Sequence, residues 1–246
     1  MAQPRDPRLA MSAVRARYNN LENYRWEDNW HRFTGIAIQH QIARFWRDKD
    51  KLNQIVLNAG AGDNDLRLES SKTINLDISE LRLTRLESSV IGTVEAIPLA
   101  DQTIDVVICV GSVINYCDAG AAISEFARVL RPGGHLLLEF ESSRSAELCT
   151  QDAFCRSAAV AETFYGNTPE TLWVYSPDFI TNFLMAAGLV ISKRVPIHVL
   201  SPWGLLCLRN VSAAASLGHF DSWAQHIPLL TRWASNHLLI CKKPSC

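Results

Sequence analysis

A glycine turn and a downstream acid are the residues whose spacing most directly suggests chemistry. Asn58-Ala59-Gly60-Ala61-Gly62-Asp63-Asn64 follows an apolar run, Gln54-Ile55-Val56-Leu57, and Asp77 ends a second such run 19 residues after Asn58. Glycines at the end of a strand let the chain turn tightly and let its backbone approach a ligand. A carboxylate at the end of the next strand can accept hydrogen bonds from both hydroxyls of a ribose. The pattern therefore points to a nucleoside-containing ligand. A dinucleotide fingerprint would place a third Gly at position 65, where this chain has Asp65.

Candidates for proton transfer are fewer. His31 lies in an aromatic-rich segment with Tyr18, Tyr24, Trp26, Trp30 and Phe33, whereas His198 and His219 flank the start and middle of a late segment. His31 is the first choice as a general base, because an aromatic lid would carry it over the strand ends. The same rings could favour a bound cation through their π faces. Tyr116, in the stretch Gly111-Ser112-Val113-Ile114-Asn115-Tyr116, is the second candidate for contact with substrate. Each histidine alone fits a structural or solvated role better than a catalytic one.

These residues need elements to position them. Residues 8–50 read as helical, with Ile36, Ile38, Ile42, Phe45 and Trp46 roughly at helical spacing. Strands are expected at Gln54–Asn58, Lys72–Asp77, Val90–Val94, Thr103–Cys109, His135–Phe140, Leu189–Leu200 and His237–Lys243. A helix over Ala119–Leu130 stops at Arg131-Pro132-Gly133-Gly134, and Ser176-Pro177-Asp178 starts another over Phe179–Ala187. Pro196 marks an edge strand or a bulge. Strands alternating with helices predict an α/β fold with a parallel sheet, whose ligands bind at the carboxyl ends of the strands.

Composition narrows the class. The 246 residues are 48% hydrophobic and 20% charged, with a net charge of −1, so a full core is available and no large basic surface is implied. Residues 1–51 hold ten Lys/Arg against six Asp/Glu and residues 201–246 hold four against one, so acidic groups gather between them. The seven cysteines show neither a CxxC pair nor zinc-type spacing, so no metal site is expected. An odd cysteine count without a disulfide framework suggests a reducing compartment. With no membrane-length apolar run and no signal-like h-region, the expectation is a cytoplasmic protein with no membrane partner.

Taken in order, VLNAGAG (56–62), NLD (75–77), IPLADQTIDVV (97–107) and RVLRPGG (128–134) resemble the successive motifs of the class I, Rossmann-like S-adenosylmethionine (SAM)-dependent methyltransferases. The likeness covers about residues 52–142, and HLLICKKP resembles that family's final strand. It implies a Rossmann-like, seven-stranded, mostly parallel sheet with an antiparallel last strand, helices on both faces and an N-terminal helical lid. The lid would be residues 1–51 and the SAM-binding domain 52–246, with substrate-pocket insertions at 143–175 and 201–236. The aromatic residues Phe154, Phe164, Tyr165, Trp173, Trp203 and Trp223 in those insertions would suit an apolar or aromatic acceptor.

The resemblance also assigns a cofactor, SAM, and contacts to it. Asn58, Gly60 and Gly62 would lie against its methionine and ribose part, Asp77 would hold the ribose hydroxyls, and Ile78 would lie against the adenine. Thr93 and Val94 fall at the adenine edge, and Val110 and Gly111 near the methionine amino group. Three positions depart from the pattern. Asn58 replaces the usual acid of the first motif, Asn64 stands at its third glycine, and Thr93 replaces the usual adenine-contacting Asp, with Glu95 nearby. Asn58 can accept a hydrogen bond but offers no full countercharge. The expected activity is methylation of a small organic acceptor at O, N or C, because net charge disfavours a nucleic-acid partner. Methylation of a protein or tRNA, and a non-catalytic SAM-binding subunit, are the alternatives.

Overall fold

The computed structural model describes residues 6, 9–20, 28–47, 53–66, 68–69, 71–165 and 168–245. Tyr24 and Trp26 of the aromatic segment lie outside them. Two helices open the chain, α1 (Met11–Asn20) and α2 (Asn29–Arg47). There follow β1 (Gln54–Ala59), β2 (Ser71–Asp77), α3 (Glu80–Leu83), β3 (Ser89–Ile91) and β4 (Ile104–Cys109). Next come α4 (Ala119–Val129), β5 (Leu130–Glu141), β6 (Ala158–Tyr165), β7 (Thr168–Tyr175), α5 (Pro177–Ala186) and β8 (Val190–Ile197). Short helices α6 (Ser201–Leu208), α7 (Val211–Ser216), α8 (Asp221–Ala224) and α9 (Pro228–Thr231) precede β9 (Asn236–Lys242).

Seven strands form one sheet in the order β3-β2-β1-β4-β5-β9-β8. Pairings among β3, β2, β1, β4 and β5 are parallel, whereas β9 runs antiparallel to both β5 and β8. The strand order reverses between β1 and β4, which leaves a crevice at their carboxyl ends. Alternation along the strands splits the core into two layers. Leu57, Val107, Leu136, Leu138 and Phe140 pack against Ile123 and Phe126 of α4 and Ile180 and Leu184 of α5. Val56, Val106, Ile108, Leu137, Leu238 and Ile240 pack on the other face against Ile38, Ile42, Phe45 and Trp46 of α2.

Helix ends follow local chemistry. The Asp118 carboxylate accepts from Ala121 N at 3.0 Å to cap α4, and Ser176 Oγ accepts from Phe179 N at 3.2 Å with Pro177 in the first turn of α5. Two of the sequence motifs are bound to each other. Arg128 donates to Leu99 O and Ile97 O, both at 2.8 Å, and pairs with Glu125 and Asp101. The IPLAD loop is thus tied to the end of α4.

Several expected boundaries move. The fifth strand starts at Leu130, directly after α4, because Leu130 already pairs with Ile104; residues 131–134, with Gly133 at φ +82°, are an irregularity inside the strand before His135 pairs with Val106. The third strand is only Ser89–Ile91, since Thr93 and Ala96 close a tight turn. The sixth strand is shorter, Val190–Ile197; it is the sheet edge, with a register shift between Ile191 and Lys193. The segment 143–175, expected as a substrate-pocket insertion, holds the antiparallel hairpin β6–β7, paired at eight positions from Ala158 opposite Tyr175 to Tyr165 opposite Thr168. Among the described residues, no helix is long and apolar enough to cross a membrane.

Candidate active site

The glycine turn sits at the crevice. Gly60 N and Ala61 N both donate to Leu76 O, at 2.8 and 2.9 Å, so the turn is stitched to the end of β2. Gly60 has φ +75° and Gly62 φ +54°, and a Cβ at position 60 would lie 2.4 Å from a Val113 methyl. Only glycine fits there. Asp77 stands directly beside the turn. Its Oδ2 accepts from Gly62 N and its Oδ1 from Ser79 N, each at 2.8 Å. Burial pushes its carboxyl above the ordinary range, while those two N–H groups and Arg82 pull the other way.

A cleft of about 270 Å³ opens above these residues. Gly60, Asp77, Ile78, Thr93, Val94 and Glu95 line its floor, with Val113, Tyr116 and Cys117 on one wall. Leu9, Ala10, Met11, Val14 and Tyr18, in and just before α1, complete the lining. Helix α1 buries only Val14, so polar pins hold it. At the β2 end, Arg82 donates twice to Tyr18 O, at 2.7 and 3.0 Å, and Ser79 Oγ bonds Asn19 Oδ1 at 2.5 Å. At the other end, Arg17 pairs with the buried Glu170 of β7, which also accepts from the Tyr116 hydroxyl. The Tyr18 and Tyr116 rings meet edge to face at 5.7 Å.

Of the expected cofactor residues, Gly60, Asp77, Ile78, Thr93 and Val94 line the cleft; Gly62 adjoins it through its bond to Asp77, Val110 packs against the α2-side core, and Gly111 lies past the end of β4, outside the lining. Asn58 is buried and points away from the cleft chemistry: its Nδ2 donates to Asn64 O and to Asn75 Oδ1, both at 2.9 Å. Thr93 Oγ1 accepts from Glu95 N at 3.2 Å and lies 3.3 Å from Glu95 Oε2. Glu95 Oε1 in turn accepts from Asp118 N at 2.7 Å. Thr93 and Glu95 therefore form one polar wall instead of two independent contacts.

A second cluster lies on the α2 side of the sheet, past the ends of β4 and β5. Fully buried Glu139 accepts from Gly111 N (2.9 Å), Ser112 N (2.7 Å) and Asn236 Nδ2 (2.7 Å). Glu141 Oε1 accepts from Ser112 Oγ at 2.8 Å, and Glu147 Oε1 accepts from the hydroxyls of Ser145 and Ser235. Burial raises the Glu141 carboxyl to about 7 and also raises Glu147. His31 faces all three, close enough to favour their charged forms. Its Nδ1 lies 2.7 Å from Asp28 Oδ2, and Asp28 Oδ1 accepts from His31 N.

The other histidine candidates separate. His198 is buried, stacked on Trp30 at 4.1 Å and bonded to Thr34 Oγ1 and Ser201 Oγ. Burial lowers it to about 3, so it is a neutral structural residue. His219 meets Phe33 edge to face. Of the insertion aromatics, Trp173 belongs to the main core, Phe154 and Trp203 both pack on Trp233, and Trp223 is 64% exposed. The side chains of Phe164 and Tyr165 lie outside the described ones, and these four do not gather into one acceptor wall.

Sequence reasoning missed Asp28, Glu139, Glu141, Glu147, Arg17 and Glu170. One signal was available. In Leu136-Leu137-Leu138-Glu139-Phe140-Glu141, two acids two residues apart at a strand end must share a face. The Arg17–Glu170 pair joins segments more than 150 positions apart, and no local pattern announces it.

Comparison with known proteins now adds to this geometry. Residues 25–138 match the methyltransferase domain family. That stretch is a little under half of the chain, and together with the sheet order it points to a methyltransferase domain of the class I, Rossmann-like SAM-dependent kind. The chain is 32% identical over 140 residues to a malonyl-[acyl-carrier protein] O-methyltransferase of Yersinia pestis, a match covering 52% of this chain. That stretch spans 47% of the relative, so the chain matches about half of that protein's length. Among solved structures it is similar to geranyl diphosphate C-methyltransferase of Streptomyces coelicolor, with a TM-score of 0.60 and 13% identity over 98% of this chain and 100% of that one. A second is the 1,6-didemethyltoxoflavin-N1-methyltransferase of Burkholderia thailandensis, at TM-score 0.59 and 12% identity over 100% and 93%. At such identities these likenesses speak for the fold. The glycine turn, Asp77 and the open space over Gly111, where a Cβ would meet nothing within 4 Å, fit the family's cofactor, SAM.

Proposed function

We propose that this chain transfers the methyl group of SAM to an O, N or C atom of a small organic acceptor. The observation that carries the reading is Asp77. Its two oxygens are aimed by Gly62 N and Ser79 N at the end of β2, beside a glycine turn that admits no side chain. Charged acceptors with lone pairs to spare suit a ribose diol. Ile78 and Val94 supply apolar contact for an adenine, with Thr93 and Glu95 at its polar edge. Gly60, Gly62, Val110 and Gly111 border the methionine end, and Asn58 serves that end by holding the turn.

SAM supplies a methyl group on a sulfonium centre, open to in-line displacement by a nucleophile. The protein's part is to align the acceptor, exclude water and, where needed, take a proton. Helix α1 roofs the cleft and excludes water. His31, oriented by Asp28, is our candidate proton acceptor, because Asp28 fixes the ring and stabilises an imidazolium. Tyr116 has its hydroxyl committed to Glu170, so its role is to hold the cleft wall in place. The net charge of −1 supports a small acceptor over a nucleic acid. The relatives named for geranyl diphosphate and 1,6-didemethyltoxoflavin agree with this.

Titration calorimetry tests the reading. SAM and S-adenosylhomocysteine (SAH) should both bind in the micromolar range, and Asp77→Ala should weaken both about 100-fold, the worth of two charge-assisted hydrogen bonds. Binding of neither ligand, or an unchanged affinity in the variant, overturns it.

A further inference from the structure

We infer that Glu139 is the positioning residue for the methionine end of the cofactor site and supplies the negative charge that Asn58 does not. The inference rests on the cofactor reading above. It starts from the backbone just past β4. Gly111 has φ +83° and Ser112 has φ +59°, two left-handed residues in succession. Ser112 is not glycine, so its conformation is strained and persists only where something holds it. In a turn, successive backbone N–H groups can point to one side and form a small anion-binding concavity. Here the anion is internal. Glu139 Oε2 takes both N–H groups, and its Oε1 takes Asn236 Nδ2.

All three partners are donors, which is the arrangement a carboxylate requires. Burial raises the Glu139 carboxyl, and the three donors and His31 oppose that rise. The charged groups around it are Glu141, Glu147 and His31. Gly111 itself is exposed, two residues before Val113 of the cleft wall, and a Cβ on it would meet nothing within 4 Å. A ligand resting there meets backbone, with a buried negative charge directly behind it.

The methionine end of SAM carries an ammonium and a sulfonium. Asn58, at the end of β1, is neutral, and its amide donors are spent on Asn64 and Asn75. Glu139 lies two strands away in the sheet order, yet reaches the β4 end through Gly111. In a buried setting a charge at this range is screened far less than at the surface. Glu139 therefore does two things: it locks a strained loop in shape, and it biases that loop towards a cationic ligand.

The test separates shape from charge. Glu139→Gln retains an acceptor for the two N–H groups but removes the charge, and Glu139→Asp keeps the charge but shortens the reach. Affinities for SAM, which has the sulfonium, and SAH, which has a neutral thioether, are measured by calorimetry for the wild type and both variants. Thermal unfolding without ligand is followed alongside. E139Q is expected to weaken SAM about tenfold and SAH by less than threefold, the difference a nearby buried charge makes. E139D is expected to weaken both while keeping the wild-type ratio. Equal losses for SAM and SAH in E139Q, or no loss, overturn the inference. Should E139Q fail to fold, the wild type decides through sinefungin, which has an ammonium where SAH has sulfur. Sinefungin is expected to bind at least as tightly as SAH, and a tenfold preference for SAH overturns the proposal. A wild type that binds none of the three sinks the cofactor reading itself, an outcome distinct from all of these.

Discussion

The two ends of the crevice are built in opposite ways. At β1 and β2, the site is mostly backbone: a glycine turn, two N–H groups and one carboxylate, all within 25 residues of sequence. Past β4 and β5, it is mostly side chains drawn from distant segments: Asp28 and His31 of the α2 start, Glu139 and Glu141 of β5, Ser235 and Asn236 of the chain's last quarter. A backbone site tolerates little variation in shape and suits a ligand that never changes. A side-chain site can be rebuilt residue by residue, and it suits the partner that differs from one member of a fold to another.

The sharpest way to break this contrast is at Gly60. A Gly60→Ala change puts a Cβ 2.4 Å from Val113 at φ +75°, so SAM binding should fall by about 100-fold or more, with stability lower by roughly 2 kcal/mol. Calorimetry and denaturant melts read both. Near-normal binding would mean that the turn is not the rigid half of the site.

At the other end, His31→Ala should leave SAM affinity within twofold and cut turnover by about 100-fold, the usual worth of a general base. Once an acceptor is in hand, single-turnover kinetics check this. A variant that loses SAM affinity but turns over normally would assign His31 to the wrong half.

A third effect concerns pH and the packing of His198 on α2. His198 is held neutral, with its value lowered from 6.5 to about 3. Below pH 6.5 the unfolded chain takes up a proton that the folded one refuses. Folding stability is therefore fully present above that pH and is lost on acidification, by about 1.4 kcal/mol per pH unit for this group. A His198→Asn variant, compared with wild type by urea melts between pH 6 and 4, should show a correspondingly shallower loss. Identical slopes would mean that His198 is not shut away beneath Trp30 and Phe33.

The same contrast governs what the sequence discloses. Gly60, Gly62 and Asp77 were legible because backbone chemistry leaves a contiguous trace: glycine where φ is positive, an acid where a strand ends. The sheet was legible from its apolar runs, down to Pro196 on the edge strand. His31 was visible as a candidate, but its carboxylate company was not, since Glu139, Glu141 and Glu147 reach it only through the folding of β5 against α2. The hairpin β6–β7 was missed because its alternation is weak in Ala158-Ala159-Val160-Ala161, where small residues carry little periodic signal. Asn58 was correctly marked as unusual. What it does instead, bracing Asn64 and Asn75, depends on contacts that spacing cannot show.

The position of β9 has a consequence for how the molecule is made. It is an interior strand, flanked by β5 and β8, yet it is synthesised roughly 100 residues after the β5 positions it pairs with. Until it emerges, the nascent chain carries β5 with one long edge uncovered and β8 with no neighbour in the sheet. An unpaired apolar edge invites association with other chains. The slow step in reaching the native state is therefore expected to be the threading of Asn236–Lys242 between two strands already waiting for it. Chaperone demand should peak before that segment leaves the ribosome.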